Sequence, residues 1–246
     1  NDPSGVHFNP AGTKMFILSN SPDNSADDVF SHVSEYNLST PFDVSTKTYA
    51  GDGERCILNN GEGNRSSEHG PTNWMHDLKF SHNGMILFVG RGNAGSNATN
   101  ADRVFRFDLT SPYDISTCNF AQKTTDLDGD TLQLNSQAGD RSVIKNNRAQ
   151  GVAINNDGTK IFIIFLEVGT AKDDRILEYN LSTPYDLTTI SLVTSAGITL
   201  PVNSGNPMSL FFNSIGTRLF YHDHNNHTVT QISLGAAYDT SSFTVD

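Results

Sequence analysis

The chain has 246 residues, 36% hydrophobic and only 17% charged, with a formal net charge of −11 and a sequence pI of about 5.0. No basic run offers the counterion-displacing surface that nucleic-acid binding needs, and no stretch approaches the roughly 18 apolar residues that span a bilayer. The apolar deficit is filled by Asn, Ser, Thr, Asp and Gly, which favour turns over helices and point to many short strands joined by polar loops.

The chain begins Asn1-Asp2-Pro3, without an initiator Met or a signal peptide, and so reads as a processed product or a piece of something longer. Residues 5–18, GVHFNPAGTKMFIL, combine an apolar strand, a turn and a second apolar strand; residues 33–46, VSEYNLSTPFDVST, add an alternating strand and a Pro-Phe-Asp corner. The same pattern returns at 77–90 with 104–117, at 151–164 with 176–189, and at 209–222 with 229–242. Second strands such as Ile161 to Leu166 are apolar at every position, as a strand covered on both faces must be. Third strands alternate, as in Phe105, Phe107 and Leu109 with Arg106 between, which predicts a half-buried strand. Gly12, Gly84, Gly158 and Gly216 supply the positive φ of each hairpin, and Pro pre-sets φ at the corners except in the fourth copy, which has Ala237.

Four copies of one supersecondary unit, each unable to bury its own apolar faces, predict an all-β fold, a β-propeller of four blades with four antiparallel strands each. Phe8, Phe80, Ile154 and Phe212 are the expected inner core positions. The repeats run approximately 1–50, 74–121, 149–196 and 206–246, with loop insertions at 51–73 and 122–148, and the whole is read as one domain. The four units make either a compact ring or part of a larger one; the complete last unit, ending Ser242 to Asp246, favours closure. Cys56 and Cys118 lie where neighbouring units meet, and are either one disulfide in an oxidising compartment or two free thiols.

Three segments carry candidate chemistry. Asp126, Asp128 and Asp130 flank Gly129 like the start of an oxygen-ligand calcium loop, although no Glu closes it and an ordinary Asp-Gly turn reads equally from the same residues. His222, His224 and His227 could supply imidazoles to a metal or decorate a surface hairpin. His76 and Asp77 begin the first strand of the second copy where Gly5, Gly151 and Ser209 stand in the others, a position facing the central opening; adjacent strand residues point apart, so a polar rim competes with a His base. Trp74 has no counterpart in the other copies and is the expected ligand contact.

The run from Ala149 to Ile163, AQGVAINNDGTKIFI, with the Asp-Asp-Arg-Ile step at 173–176, resembles the YVTN/NHL-type β-propeller repeat. That resemblance implies the propeller architecture. It leaves activity open, because such propellers include binding scaffolds, adhesins, lyases and lactonases. With no recognisable catalytic set, the expectation is an extracellular, cell-surface or virion-surface module that binds a glycan or a protein partner, with calcium as the one candidate cofactor. The alternative is a propeller hydrolase or lyase with a metal in the central channel; a third reading has the blades merely spacing other domains.

Overall fold

The computed structural model describes residues 2–20, 31–58, 73–93, 103–124, 147–167, 174–193, 197–201 and 205–246. It is a four-bladed β-propeller of antiparallel sheets. The first blade is β1 (Asp2–Phe8), β2 (Lys14–Asn20), β3 (His32–Leu38) and β4 (Lys47–Tyr49), with β5 (Arg55–Ile57) pairing β3 further along. The second is β6 (Asn73–Phe80), β7 (Ile86–Asn93), β8 (Arg103–Asp108) and β9 (Asn119–Lys123). The third is β10 (Asn147–Ile154), β11 (Lys160–Glu167), β12 (Arg175–Leu181) and β13 (Ile190–Leu192), with β14 (Ile198–Thr199) on β12. The fourth is β15 (Pro207–Phe212), β16 (Arg218–Asp223), β17 (Thr228–Ala236) and β18 (Asp239–Val245).

Each blade is locked by the same local device. A Gly at φ +68 to +73 closes the first hairpin, and its carbonyl accepts a hydrogen bond from the amide of the corner aromatic: Phe42 to Gly12, Tyr113 to Gly84, Tyr185 to Gly158 and Tyr238 to Gly216. The aromatics themselves sit at φ 55–63, a conformation that costs a non-glycine residue about 1 kcal/mol or more. Packing offsets that strain, because the ring lies directly on the glycine: a Cβ on Gly158 would be 2.5 Å from the Tyr185 ring. The glycine is therefore required twice, for its φ and for its missing side chain.

Successive blades pack face to face. Phe16, Leu18 and Val33 of the first blade bury Leu78, Leu87, Val89 and Phe105 of the second. Phe88 and Val104 of the second bury Val152, Ile161, Ile163 and Tyr179 of the third. Phe162, Ile164 and Ile176 of the third bury Leu210, Leu219, Tyr221 and Ile232 of the fourth. A cation crosses each of these seams to the carbonyl of the next corner aromatic: Lys14 to Tyr113 at 3.1 Å, Arg106 to Tyr185 at 2.9 Å, and Lys160 to Tyr238 at 2.7 Å. Of the expected inner core positions, Phe80 is buried, while Phe8, Ile154 and Phe212 are half-buried.

The fourth seam differs. Val6 and Phe42 of the first blade are 53% and 59% exposed, and Phe211 of the fourth is 46% exposed. Arg218, at the position of Lys14 and Lys160, is exposed, and among the described residues it makes no hydrogen bond to the Phe42 carbonyl. Between the first and fourth blades the ring opens into a cleft.

Cys56 and Cys118 form a disulfide from β5 to the end of the 3-10 turn Ile115–Thr117, joining the first blade to the second across 62 residues of sequence. Closing a loop of that length removes about 4 kcal/mol of unfolded-state entropy. Cys56→Ser with Cys118→Ser should lower the unfolding free energy by about 2–4 kcal/mol in urea titrations.

Candidate functional site

The inner strands of all four blades bulge at one level, between Pro3 and Gly5, Met75 and Asp77, Ala149 and Gly151, and Pro207 and Leu210. A bulge re-aims side chains and frees backbone N–H groups. Small residues allow the strands to converge there: a Cβ on Gly151 would lie 2.2 Å from the Met208 carbonyl oxygen, and one on Gly5 2.8 Å from Leu78. Asp77 occupies the centre. Its Oδ1 accepts from the Leu78 amide at 2.9 Å and from Lys79 Nζ at 3.0 Å; its Oδ2 accepts from the Val152 amide at 3.2 Å and, more loosely, from the Leu210 amide at 3.4 Å. One carboxylate thus ties together the second, third and fourth blades.

Beside this hub lies the cleft, a cavity of about 770 Å3. The first blade supplies Ser4, Val6, His7 and Phe8; the fourth supplies Ser209, Phe211 and His222; Asp77, Lys79 and Phe80 come from the second. That size falls in the ordinary range for small-molecule sites. The His7 imidazole packs 5.2 Å from the Phe80 ring, and burial, helped by the Lys79 charge, lowers its pKa to about 3. It is therefore a neutral imidazole with a free lone pair at any physiological pH. Burial pushes the Asp77 carboxyl upward, while Lys79 and the amides of Val152 and Leu210 pull it down. The side chain of Lys79 is 14% exposed and one of its three N–H donors is spent on Asp77. Together the cleft offers a proton acceptor, a cation, hydroxyl groups and aromatic walls.

Asp77 is among the residues that line the cavity, almost wholly buried. His76 does not join it: it sits on the bulge, buried at 8% exposure, where burial and then Arg148 lower its pKa to about 4. The pair is no His–Asp couple, because every lone pair direction of Asp77 is taken by other donors. Trp74 lies on β6, with its side chain outside the described part, and Asp126, Asp128 and Asp130 fall outside the described residues. His222, His224 and His227 follow one another edge to face, with rings 6.5 and 6.3 Å apart, and only His222 lines the cleft. Among the described residues no group of three or more His, Cys, Asp or Glu is placed to hold a metal ion. Among the described residues, Asp77 is the cleft's one carboxylate and already accepts four hydrogen bonds, so it is not free to serve the metal expected in the central channel.

His7, Lys79 and Phe211 were not anticipated. They share one column of the repeat, two residues after Gly5, Asp77 and Ser209, with Ala153 as the fourth member. Comparing that column across copies would have found them.

No protein-family model matches the sequence, and no curated protein matches it. Among solved structures, the chain is similar to a periplasmic gluconolactonase from Pseudomonas aeruginosa, with 14% identity, 99% of this chain and 56% of that one covered, and a TM-score of 0.56. It is also similar to an exo-β-1,3-galactanase from Phanerochaete chrysosporium, with 10% identity, 99% and 49% coverage, and a TM-score of 0.54. The chain thus spans about half the length of the structures it matches. These likenesses show the β-propeller fold. The expected adhesion or binding module is corrected by the same comparison, because these two superimposed proteins are, by name, a gluconolactonase and a galactanase. Among the described residues, no helix is long and apolar enough to cross a membrane.

Asp77→Ala should cost about 3–5 kcal/mol of stability, measured by chemical unfolding, because it leaves an ammonium and three amides unpaired in the interior. His7 and His76 bind a proton less readily folded than unfolded, so the unfolded state gains protons first on acidification. Stability should hold above pH 6.5 and fall as pH drops from 6.5 towards 4. His76→Gln should flatten part of that slope in melts recorded across this range.

Proposed function

We propose that this chain is a propeller hydrolase that opens a cyclic ester, a lactone, in the cleft between its first and fourth blades. The observation that carries this reading is the neutral His7 imidazole held beside the Lys79 ammonium in an aromatic-walled cavity. His7 accepts a proton from water as the water oxygen attacks the lactone carbonyl carbon. Lys79 stabilises the oxyanion that forms. The ring C–O bond then breaks, and the proton passes from His7 to the departing alkoxide oxygen, giving a hydroxy acid.

A base with so low a pKa is weak, which suits an activated ester better than a glycosidic bond. Glycoside hydrolysis generally needs two carboxyl groups facing one bond, and Asp77 is alone in the cleft among the described residues. The gluconolactonase likeness supports the lactone reading over the galactanase one. The motif from Ala149 to Ile163 supports assigning the blades to the YVTN/NHL-type repeat. The Cys56–Cys118 disulfide and the periplasmic neighbour support a place outside the reducing cytoplasm, at a cell or virion surface or beyond it.

Hydrolysis of glucono-δ-lactone, followed by acid release in weak buffer, tests the assignment. His7→Ala should lower kcat about 100-fold, and Lys79→Met by a similar factor, with thermal melts confirming that each variant folds. Lactone opening that is unchanged in His7→Ala, or that vanishes with EDTA and returns with calcium, would overturn it.

A further inference from the structure

The two walls of the cleft are mating faces of the kind that close the other three seams, but the fourth-blade wall has been rebuilt. On the corresponding face of the first three blades, Phe16, Phe88 and Phe162 are fully buried by the next blade. They are flanked by Leu18, Gly90 and Ile164 on the same strand, and by the charged Glu35, Arg106 and Glu178 on the next. The fourth blade keeps the aromatic as Phe220 but puts His222 where Leu18 or Ile164 stands, and Gln231 in place of the charge. Ser209 replaces the glycines and Phe211 joins Phe220 from the inner strand.

The result is a parallel stack, with ring centroids 4.7 Å apart and planes 8° from one another, whose outer ring is 46% exposed to the cleft. Facing another blade, such a surface would bury an imidazole and a hydroxyl without partners, at a cost of about 1–3 kcal/mol each. Across the gap stand the apolar Val6, Phe8 and Ile17. A flat aromatic flanked by hydrogen-bonding groups, opposite an apolar wall, fits a ring with C–H faces and hydroxyl edges.

We infer that the fourth-blade wall is a saccharide subsite: a pyranose ring stacks on Phe211 over Phe220, while Ser209 and His222 hydrogen-bond its hydroxyls. Resting on the lactone-hydrolase reading, the substrate is then a sugar lactone that carries a further glycosyl residue, with the lactone ring at His7 and Lys79 and the glycosyl ring on the stack.

Two measurements on the full chain test this. Cellobiose, lactose and β-1,3-galactobiose are titrated calorimetrically; at least one binds, and Phe211→Ala, whose cooperative melt confirms that it folds, weakens it about 5–10-fold. Cellobiono-δ-lactone is hydrolysed with a higher kcat/KM than glucono-δ-lactone, and Phe211→Ala narrows that ratio by raising KM for the larger lactone more than for the smaller one. Absence of binding by all three disaccharides, or equal binding by Phe211→Ala, overturns the subsite. So does a dimer in sedimentation that Phe211→Ala dissociates, which would mean that a second copy covers the face. Disaccharide binding by a chain that opens no lactone keeps the subsite and removes the hydrolase; lactone opening indifferent to the glycosyl group and to Phe211 does the reverse.

Discussion

A propeller blade is a sheet with two apolar faces and no means of covering either, so every blade depends on a neighbour for its solubility. In this chain that dependence is met at three seams by one arrangement: a fully buried Phe, an aliphatic cluster from the following blade, and a Lys or Arg reaching the next corner carbonyl. The fourth meeting is left unmade, and the cleft is the space that results. The architecture and the candidate site thus have one origin. The cavity exists because the last blade presents a face unlike the other three.

The hub at Asp77 imposes a second constraint. Four inner strands bulge at the same level, and their small residues allow close approach. A single carboxylate then satisfies amides from two other blades. A buried charge is seldom a gain in stability by itself, yet here it fixes three blades relative to one another and orients Lys79 towards the cavity. Structural and chemical roles meet in one side chain.

The fold was legible because the repeat is written into local chemistry. Gly12, Gly84, Gly158 and Gly216 announce the hairpins, the Pro-aromatic-Asp corners announce the turns that sit on them, and doubly apolar runs such as Ile161 to Leu166 announce strands covered on both sides. The site was less legible. A His, a Lys, an Ala and a Phe in one column look like noise when each copy is read along its length, and become a pattern only when the copies are aligned. His76 attracted attention by standing next to Asp77, but the bulge separates their environments, and no periodicity reveals a bulge. The histidines at 222–227 looked like a ligand set by spacing alone, whereas the turn between β16 and β17 strings them out in series. The site proposed at His7 escaped the sequence for a related reason: its imidazole is held neutral only by burial and by the Lys79 charge, which no motif records.

The covalent link between Cys56 and Cys118 lies on the far side of the first blade from the cleft. It makes the first and second blades a single stiff jaw. The fourth blade has no disulfide and is held by packing on the third, by Lys160, by the Glu178 carboxylate that accepts from Thr240, and by the Leu210 amide on Asp77. The two walls of the mouth are therefore anchored by different means: the first blade by a covalent bond that reduction can cut, the fourth by packing and hydrogen bonds alone.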